Sequence, residues 1–401
     1  MTRAQSPPAV EFNRDVRPIL ADHCFQCHGP DAKQRKAGLR LDTADAAAAE
    51  RKGGPIVVAG NLATSELWRR VTSIDADERM PPPDKGRKLT DAEIATLRQW
   101  ILGGAKFEKH WSLVPVRRPS IPSLKTSAAT KNALDTFILA RLAKEQLAPS
   151  SAADQPTLLR RATLALTGLP PSIEEITDFL GDAAPDAYER VVDRLLASPR
   201  YGERMAVPWL DAARYADTSG YQSDGERFMW RWRDWVIESL NANMPFDQFT
   251  IEQLAGDLLP QPTLNQRIAT GFNRNHRGNA EGGIIPEEYA VEYVADRVET
   301  TSTVWLGLTL ACCRCHDHKY DPFSQRDFYS LFAFFNNVPE KGRAIKLGNS
   351  PPYIQAPTQW QQEELHRLEE RVARPYDRFS EQDGELNAAR LEWERAAAAS
   401  A

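Results

Sequence analysis

Cys24-Phe25-Gln26-Cys27-His28 and Cys312-Cys313-Arg314-Cys315-His316 share one spacing, and nothing else in the chain restricts its possible folds as much. In such a string each of the two thiols can add to one vinyl group of a haem. The imidazole that follows is then held beneath the iron as its proximal ligand. Four of the five cysteines fall in these two strings, and the fifth, Cys313, lies inside the second. The leading expectation is therefore covalent haem c with its iron, one group per string. Cys24, Cys27, Cys312 and Cys315 are the attachment thiols, and His28 and His316 the iron ligands. A disulfide framework is a poor reading of five cysteines in a chain of 401 residues, which is too large to need staples.

The chain is long enough for two or three domains. Its 42% hydrophobic and 26% charged residues are ordinary globular values. A formal net charge of −5 lacks the basic footprint of a nucleic-acid binder. No apolar run approaches a membrane span. Met1 to Val10 has no apolar core of a secretory signal. Covalent haem attachment in bacteria nevertheless takes place outside the cytoplasm, so a periplasmic or cell-envelope location is expected, with the signal not present in this sequence.

The pattern along the chain is mainly α. Residues 11–105 read as a small helical, cytochrome c-like domain. Phe12, Val16, Ile19 and Leu20 have helical spacing, so the first string begins where a short helix ends. Thr90 and Glu93 make a capping box before Ile94, Leu97, Trp100 and Ile101, and Gly103-Gly104 closes that helix. Residues 106–131, rich in Pro, Ser and basic residues, read as a linker. Residues 132–340 form a larger, mostly helical domain that contains the second string. Helical periodicity recurs there at Leu134-Phe137-Ile138-Leu142, Leu158-Leu159-Ala162-Leu164 and Val191-Val192-Leu195-Leu196, broken at Pro170-Pro171 and Pro199. The clustered Trp230, Trp232 and Trp235 read as core. Residues 357–401 form a charged tail, either a helical hairpin or a long helix broken at Pro375, in a chain that stops inside a longer protein.

An electron-transfer haem needs a sixth ligand, and a thioether serves where the potential must be high. Met80, in Met80-Pro81-Pro82-Pro83, suits that role because the prolines fix the backbone beside the sulfur. The bland alternative is a gap-filling core methionine. His23 is a rival too close to Cys24 to reach the far face, and reads as a solvated helix-end residue. A zinc knuckle at the first string lacks a second ligand pair nearby.

Phe12-Asn13-Arg14-Asp15-Val16-Arg17-Pro18-Ile19-Leu20 running into Cys24-Phe25-Gln26-Cys27-His28-Gly29-Pro30, and then Met80-Pro81-Pro82-Pro83, resembles the planctomycete-type cytochrome c domain. The later segment resembles the uncharacterised domain that usually follows it. Trp209-Leu210-Asp211-Ala212-Ala213-Arg214-Tyr215-Ala216-Asp217, Glu252-Gln253-Leu254-Ala255-Gly256-Asp257 and Cys315-His316-Asp317-His318-Lys319-Tyr320-Asp321-Pro322 carry that likeness. The resemblance implies a c-type haem protein of the cell envelope, commonly with a further C-terminal domain. It implies no substrate.

The second string admits three readings: a second haem, a zinc or other soft-metal site using Cys312, Cys315 and either His316 or His318, or a structural cysteine cluster. For a second haem, His276 or Met244 is a candidate sixth ligand, unless the position stays open. Arg314 and Lys319 are candidates for its propionates. Glu288, Glu292, Asp296 and Glu299 share one helix face, either a wet surface or a set of acid/base groups beside the haem. Arg214 and Asp217, three apart on an expected helix, read equally as a surface pair or as functional residues. Glu281-Gly282-Gly283 reads as a loop. The expected function is electron transfer with a redox partner protein or small carrier, with redox catalysis in the larger domain. The alternative is a one-haem module fused to an envelope binding or scaffold domain that holds structural zinc. A polysaccharide hydrolase fits poorly, since no carboxylate pair, serine triad or phosphate loop stands out, and Gly53-Gly54 matches no nucleotide fingerprint.

Overall fold

The structure, a computed structural model, describes residues 10–49, 51, 54–109, 111–124, 130 and 132–400, with only the backbone at residues 111, 374–378 and 381. The first nine residues, Gly53, and residues 125–129 and 131 of the expected linker lie outside the described residues. Among those described the chain is mainly α, with no strand and two isolated bridges, Thr218 to Glu226 and Asn279 to Arg343.

A wide helical turn over Phe12–Val16 leads into α1 (Arg17–His23), and the first string follows as α2 (Phe25–His28). Short helices α3 (Ala44–Ala48) and α4 (Glu66–Thr72) precede α5 (Asp91–Leu102). The capping box expected on α5 is present. The Glu93 amide donates to the Thr90 hydroxyl at 3.3 Å, and the Thr90 amide donates to the Glu93 carboxylate at 2.7 Å.

Next come α6 (Ala133–Lys144), α7 (Gln155–Thr167), α8 (Ile173–Gly181), α9 (Ala187–Leu196) and α10 (Pro199–Ala212). Pro170 and Pro171 separate α7 from α8, and Pro199 marks the break between α9 and α10, where it opens the second helix. At the first helical position a missing N–H costs nothing. Then follow α11 (Trp230–Asn241), α12 (Phe246–Ala255), α13 (Leu264–Ala269), α14 (Pro286–Thr301), α15 (Gln325–Phe335) and α16 (Gln359–Ala399).

The break expected at Pro375 is absent: α16 runs through that position as one helix of 41 residues. A proline inside a helix costs about 3 kcal/mol. Here strong helix formers flank it, and a Thr358/Gln361 capping box anchors the start.

Contacts divide the chain into two compact units. The first takes the described residues within Met1–Arg214 and Ile285–Val338, and the second those within Tyr215–Ile284 and Pro339–Ala401. Among the described residues, apolar clusters hold the first unit together. Phe12, Leu20 and Phe25 pack against Leu97, Trp100 and Ile101 of α5. Phe107 joins that group with its ring 4.7 Å from Phe12 and 5.2 Å from Trp100, and the Trp100 indole donates to the Lys106 carbonyl. Leu159, Phe179 and Ala187 tie α7, α8 and α9 together. Val294 and Val298 of α14 and Phe328 and Phe335 of α15 enclose Cys313.

In the second unit Trp232 and Trp235 are buried, in keeping with their reading as core. Trp235 stacks on Phe249 at 5.4 Å. Gly271 lies so close to Trp232 that a side-chain carbon there would stand 2.9 Å from the tryptophan Cβ. Trp232→Ala is therefore expected to lower stability by about 3–5 kcal/mol in a denaturant titration. Trp360→Ala, on the exposed surface of α16, is expected to leave the same curve unchanged.

Candidate haem site

The first string is wound into one turn by a single acceptor. The Cys24 carbonyl takes the Cys27 amide at 3.1 Å and the His28 amide at 2.7 Å. With the backbone closed in this way, Cys24, Cys27 and His28 all line one cavity. Gly29 lets the chain leave the turn, because a Cβ there would come within 2.3 Å of the Phe25 carbonyl oxygen. The following loop is tied back by Lys36 donating to the Cys27 carbonyl and Leu41 donating to the His28 carbonyl, at 2.7 and 2.8 Å. Arg35 closes it further through the carbonyls of Gly29 and Pro30.

Met80 is brought to the same cavity by the segment after α4. Its amide donates to the Arg70 carbonyl at 3.0 Å. Arg69 bridges Glu66 and Glu78 at 2.7 and 2.6 Å, and Arg70 holds Glu66 and the Glu78 carbonyl. Two arginines on one helix thus clamp the strand of chain that carries the thioether.

The cavity has a volume of about 560 Å³, within the roughly 300–1,000 Å³ usual for cofactor sites. Leu39, Leu41, Ile56, Leu67 and Val71 give it apolar walls, and Arg51, Arg70, Lys85 and Arg87 stand among its lining residues. Burial, reinforced by neighbouring Cys27, pushes the Cys24 thiol up to about 12. Burial also lowers the His28 imidazole below its ordinary value, which favours the neutral form an iron requires. His28 Nδ1 is buried with no hydrogen-bond partner. Two thiols, a neutral imidazole and a thioether around an apolar cleft with cations in its lining fit haem c: apolar walls for the macrocycle and cations for its two carboxylates.

His23 corrects an expectation. It ends α1 as expected, but its side chain is buried rather than solvated, lines the cavity, and sits 3.4 Å from Glu93. The capping-box glutamate is its ion-pair partner.

The second string repeats the turn. The Cys312 carbonyl lies 3.3 Å from the amides of both Cys315 and His316 and accepts both. Its setting differs, for Cys312, Cys315 and His316 are exposed. Cys313 is instead buried between α14 and α15, where burial pushes its thiol up to about 11. His318 is buried too, and its Nδ1 accepts the amides of Tyr320 and Asp321 at 3.3 and 2.9 Å. Among the described residues no three His, Cys, Asp or Glu side chains come together as a metal-ion site, so the zinc reading gains no support.

The carboxylates of α14 do share a face, but they are not simply wet. Arg314, inside the string, pairs with Glu292 at 2.9 Å, and Arg214 pairs with Asp296 at 2.9 Å and also reaches Thr300. Burial, added to by the charge of Asp296, raises the Glu299 carboxyl above its usual range. Arg214 and Asp217 do not sit on a helix, since α10 ends at Ala212 and Arg214 turns with φ +59°. Asp217 accepts the Tyr215 hydroxyl and the Met229 amide. Lys319 lies over the Tyr320 ring at 4.6 Å. Glu281-Gly282-Gly283 is the expected turn.

His276 and Met244 belong to the second unit. There the His276 imidazole is buried 3.0 Å from Glu340, with Nδ1 2.8 Å from the Arg277 carbonyl. The ion pairs of Arg214 and Arg314 were invisible in sequence because their partners lie 82 and 22 residues away. The carboxylate periodicity on α14 was the only hint.

A family described as planctomycete cytochrome C matches residues 24–84. A second, described as a protein of unknown function (DUF1549), matches residues 133–340, more than half of the chain. Neither a curated protein nor a solved structure matches.

The clamp on Met80 has a pH signature. The Arg69 and Arg70 guanidiniums hold the Glu66 carboxyl at about 2, below its ordinary 4.5. A depressed carboxylate stabilises the fold above its unfolded pKa, and that contribution is lost as pH falls through the folded value. Glu66→Gln is thus expected to lower the melting temperature of the protein most above about pH 4.5, with the difference shrinking towards pH 2. Melting curves over that range check the sign.

Proposed function

The chain belongs to the DUF1549 family of proteins of unknown function and carries a planctomycete cytochrome C segment ahead of it, and from that premise we propose that it is a two-haem electron carrier of the cell envelope. The cytochrome segment makes it a c-type haem module. The observation that carries the reading is the convergence of Cys24, Cys27, His28 and Met80 on one apolar cavity. Cys24 and Cys27 would hold the group by thioether bonds, His28 and Met80 would ligate its iron, and Arg51, Lys85 and Arg87 would receive its carboxylates. When bound, the haem would supply one-electron exchange. The chain's own residues would give it apolar walls and bear on its potential through the Met80 sulfur.

A second haem at Cys312, Cys315 and His316 is favoured by the repeated turn, in which one carbonyl accepts both following amides. Both strings lie in the same compact unit. Arg17, on the helix leading to Cys24, donates at 2.7 Å to the carbonyl of Tyr320, just beyond His316. On this reading electrons pass between the two groups and leave to a redox partner protein or small carrier, and the larger domain performs an oxidation or reduction. No helix among the described residues is long and apolar enough to cross a membrane.

Protein matured with haem-attachment machinery is expected to show two haems per chain in a pyridine haemochrome assay, falling to one in Cys312→Ala or Cys24→Ala. One haem in the wild type, unchanged by Cys312→Ala, removes the second group from the scheme. Met80→Ala is expected to move the reduction potential of one haem downward by on the order of 0.1 V, against the roughly 0.8 V that axial ligation spans. It also abolishes the weak red-edge absorption of an iron–sulfur bond. An unchanged potential and spectrum reassign the sixth ligand.

A further inference from the structure

Helix α16 leaves an apolar line without a partner. Over its 41 residues, about 60 Å at roughly 1.5 Å per residue, every described side chain except Glu364 is exposed. Leu365, Val372, Phe379, Leu386 and Trp393 recur every seventh residue, and their exposure runs from 58% at Leu365 to 71% at Phe379. A strict seven-residue apolar repeat keeps one seam facing a neighbour only when two helices supercoil around each other. A single helix with such a seam in water forgoes the packing that normally stabilises helices.

The charges beside the seam say which neighbour fits. We propose that α16 pairs with α16 of a second copy of this chain as an antiparallel coiled coil. Take Leu365, Val372, Phe379, Leu386 and Trp393 as the first core position of each heptad. In the antiparallel register Leu365, Val372 and Trp393 stand opposite Ala396, Ala389 and Leu368 of the other copy, so large residues meet smaller ones towards both ends, while Phe379 and Leu386 fall opposite positions 382 and 375, a glutamine and a proline. The same register sets Glu369 of one copy against Arg390 of the other, and Arg371 against Glu392. The two-fold axis repeats each of these attractions. The parallel arrangement instead sets Glu364 against Glu369 and stacks Trp393 on Trp393. Within its own helix Arg390 meets only Glu394, at 3.7 Å and with both side chains largely exposed, a weak contact that leaves it available.

Sedimentation equilibrium of the 401-residue chain over a micromolar concentration series tests the pairing. The mass is expected to rise from 45.0 kDa towards twice that value. Leu386→Glu is expected to hold the chain at the monomer mass, with an unchanged main transition in a denaturant titration showing that the rest stays folded. Glu369→Arg and Arg390→Glu, each alone, turn two attractions into two repulsions and are expected to weaken the dimer about tenfold. The double reversal restores the antiparallel pairs and brings the affinity back. Three results overturn the proposal: a wild-type chain that stays monomeric, a dimer indifferent to Leu386→Glu, or a double reversal that fails to rescue the single ones.

Discussion

The Cys24 carbonyl, accepting the amides of both Cys27 and His28, is the interaction on which the N-terminal part of the chain depends. Without that turn the two thiols and the imidazole have no reason to share a cavity. Without Gly29 the chain cannot leave the turn, because a side chain there would collide with the Phe25 carbonyl. The core around it is organised to leave space rather than to fill it. Phe12, Leu20 and Phe25 lock onto Leu97, Trp100 and Ile101 on one side, while Leu39, Leu41, Ile56 and Val71 stop short of closing the other. Protein interiors normally approach crystal density. A small core that tolerates a void of about 560 Å³ gives up dispersion and burial that a flat apolar guest returns.

Methionine sulfur is a weak ligand, so its placement has to be settled before binding rather than by it. Arg69 and Arg70 do this by gripping Glu66, Glu78 and the Glu78 carbonyl, which leaves the Met80 amide on the carbonyl of Arg70 itself. Single exposed ion pairs contribute little. Here several share partners on one helix, and the geometry they fix is that of one short segment. On the proposed ligation the sulfur would therefore lose little freedom.

The cytochrome-like segment was largely legible because its signals are local. The two strings, the Thr90/Glu93 box and the proline-flanked Met80 each act within a few residues, and the helices over 133–144, 155–167 and 187–196 follow from periodicity alone. What escaped is long-range. His23 read as solvated because it ends a helix, yet Glu93, seventy positions on in the chain, meets it at 3.4 Å. Arg214 read as a helix residue because it follows directly on the pattern of α10. A left-handed turn and the pull of Asp296 take it elsewhere. Pro199 was read as a break, and the run does break there, one helix ending at Leu196 and the next starting at Pro199, a position that needs no donor. Pro375 was also read as a break, but α16 runs through it.

The two strings have nearly the same backbone and opposite surroundings, and that contrast bears on what each suits. Cys24 is enclosed and its thiol is pushed high, whereas Cys312 and Cys315 face solvent and only Cys313 between them is buried. An enclosed redox group reorganises little solvent when its charge changes, which favours fast exchange at a fixed potential. A solvent-facing one is open to encounter with another molecule. Arg314 within the exposed string is held by Glu292, while half-buried Glu299, with its carboxyl raised, lies where its charge is felt by both Arg314 and Arg214. Both that carboxyl and the buried Cys313 thiol are displaced towards holding a proton. The difference between an enclosed first string and a solvent-facing second one is thus written in burial rather than in the motif, which is why identical spacing at Cys24 and Cys312 does not imply identical work.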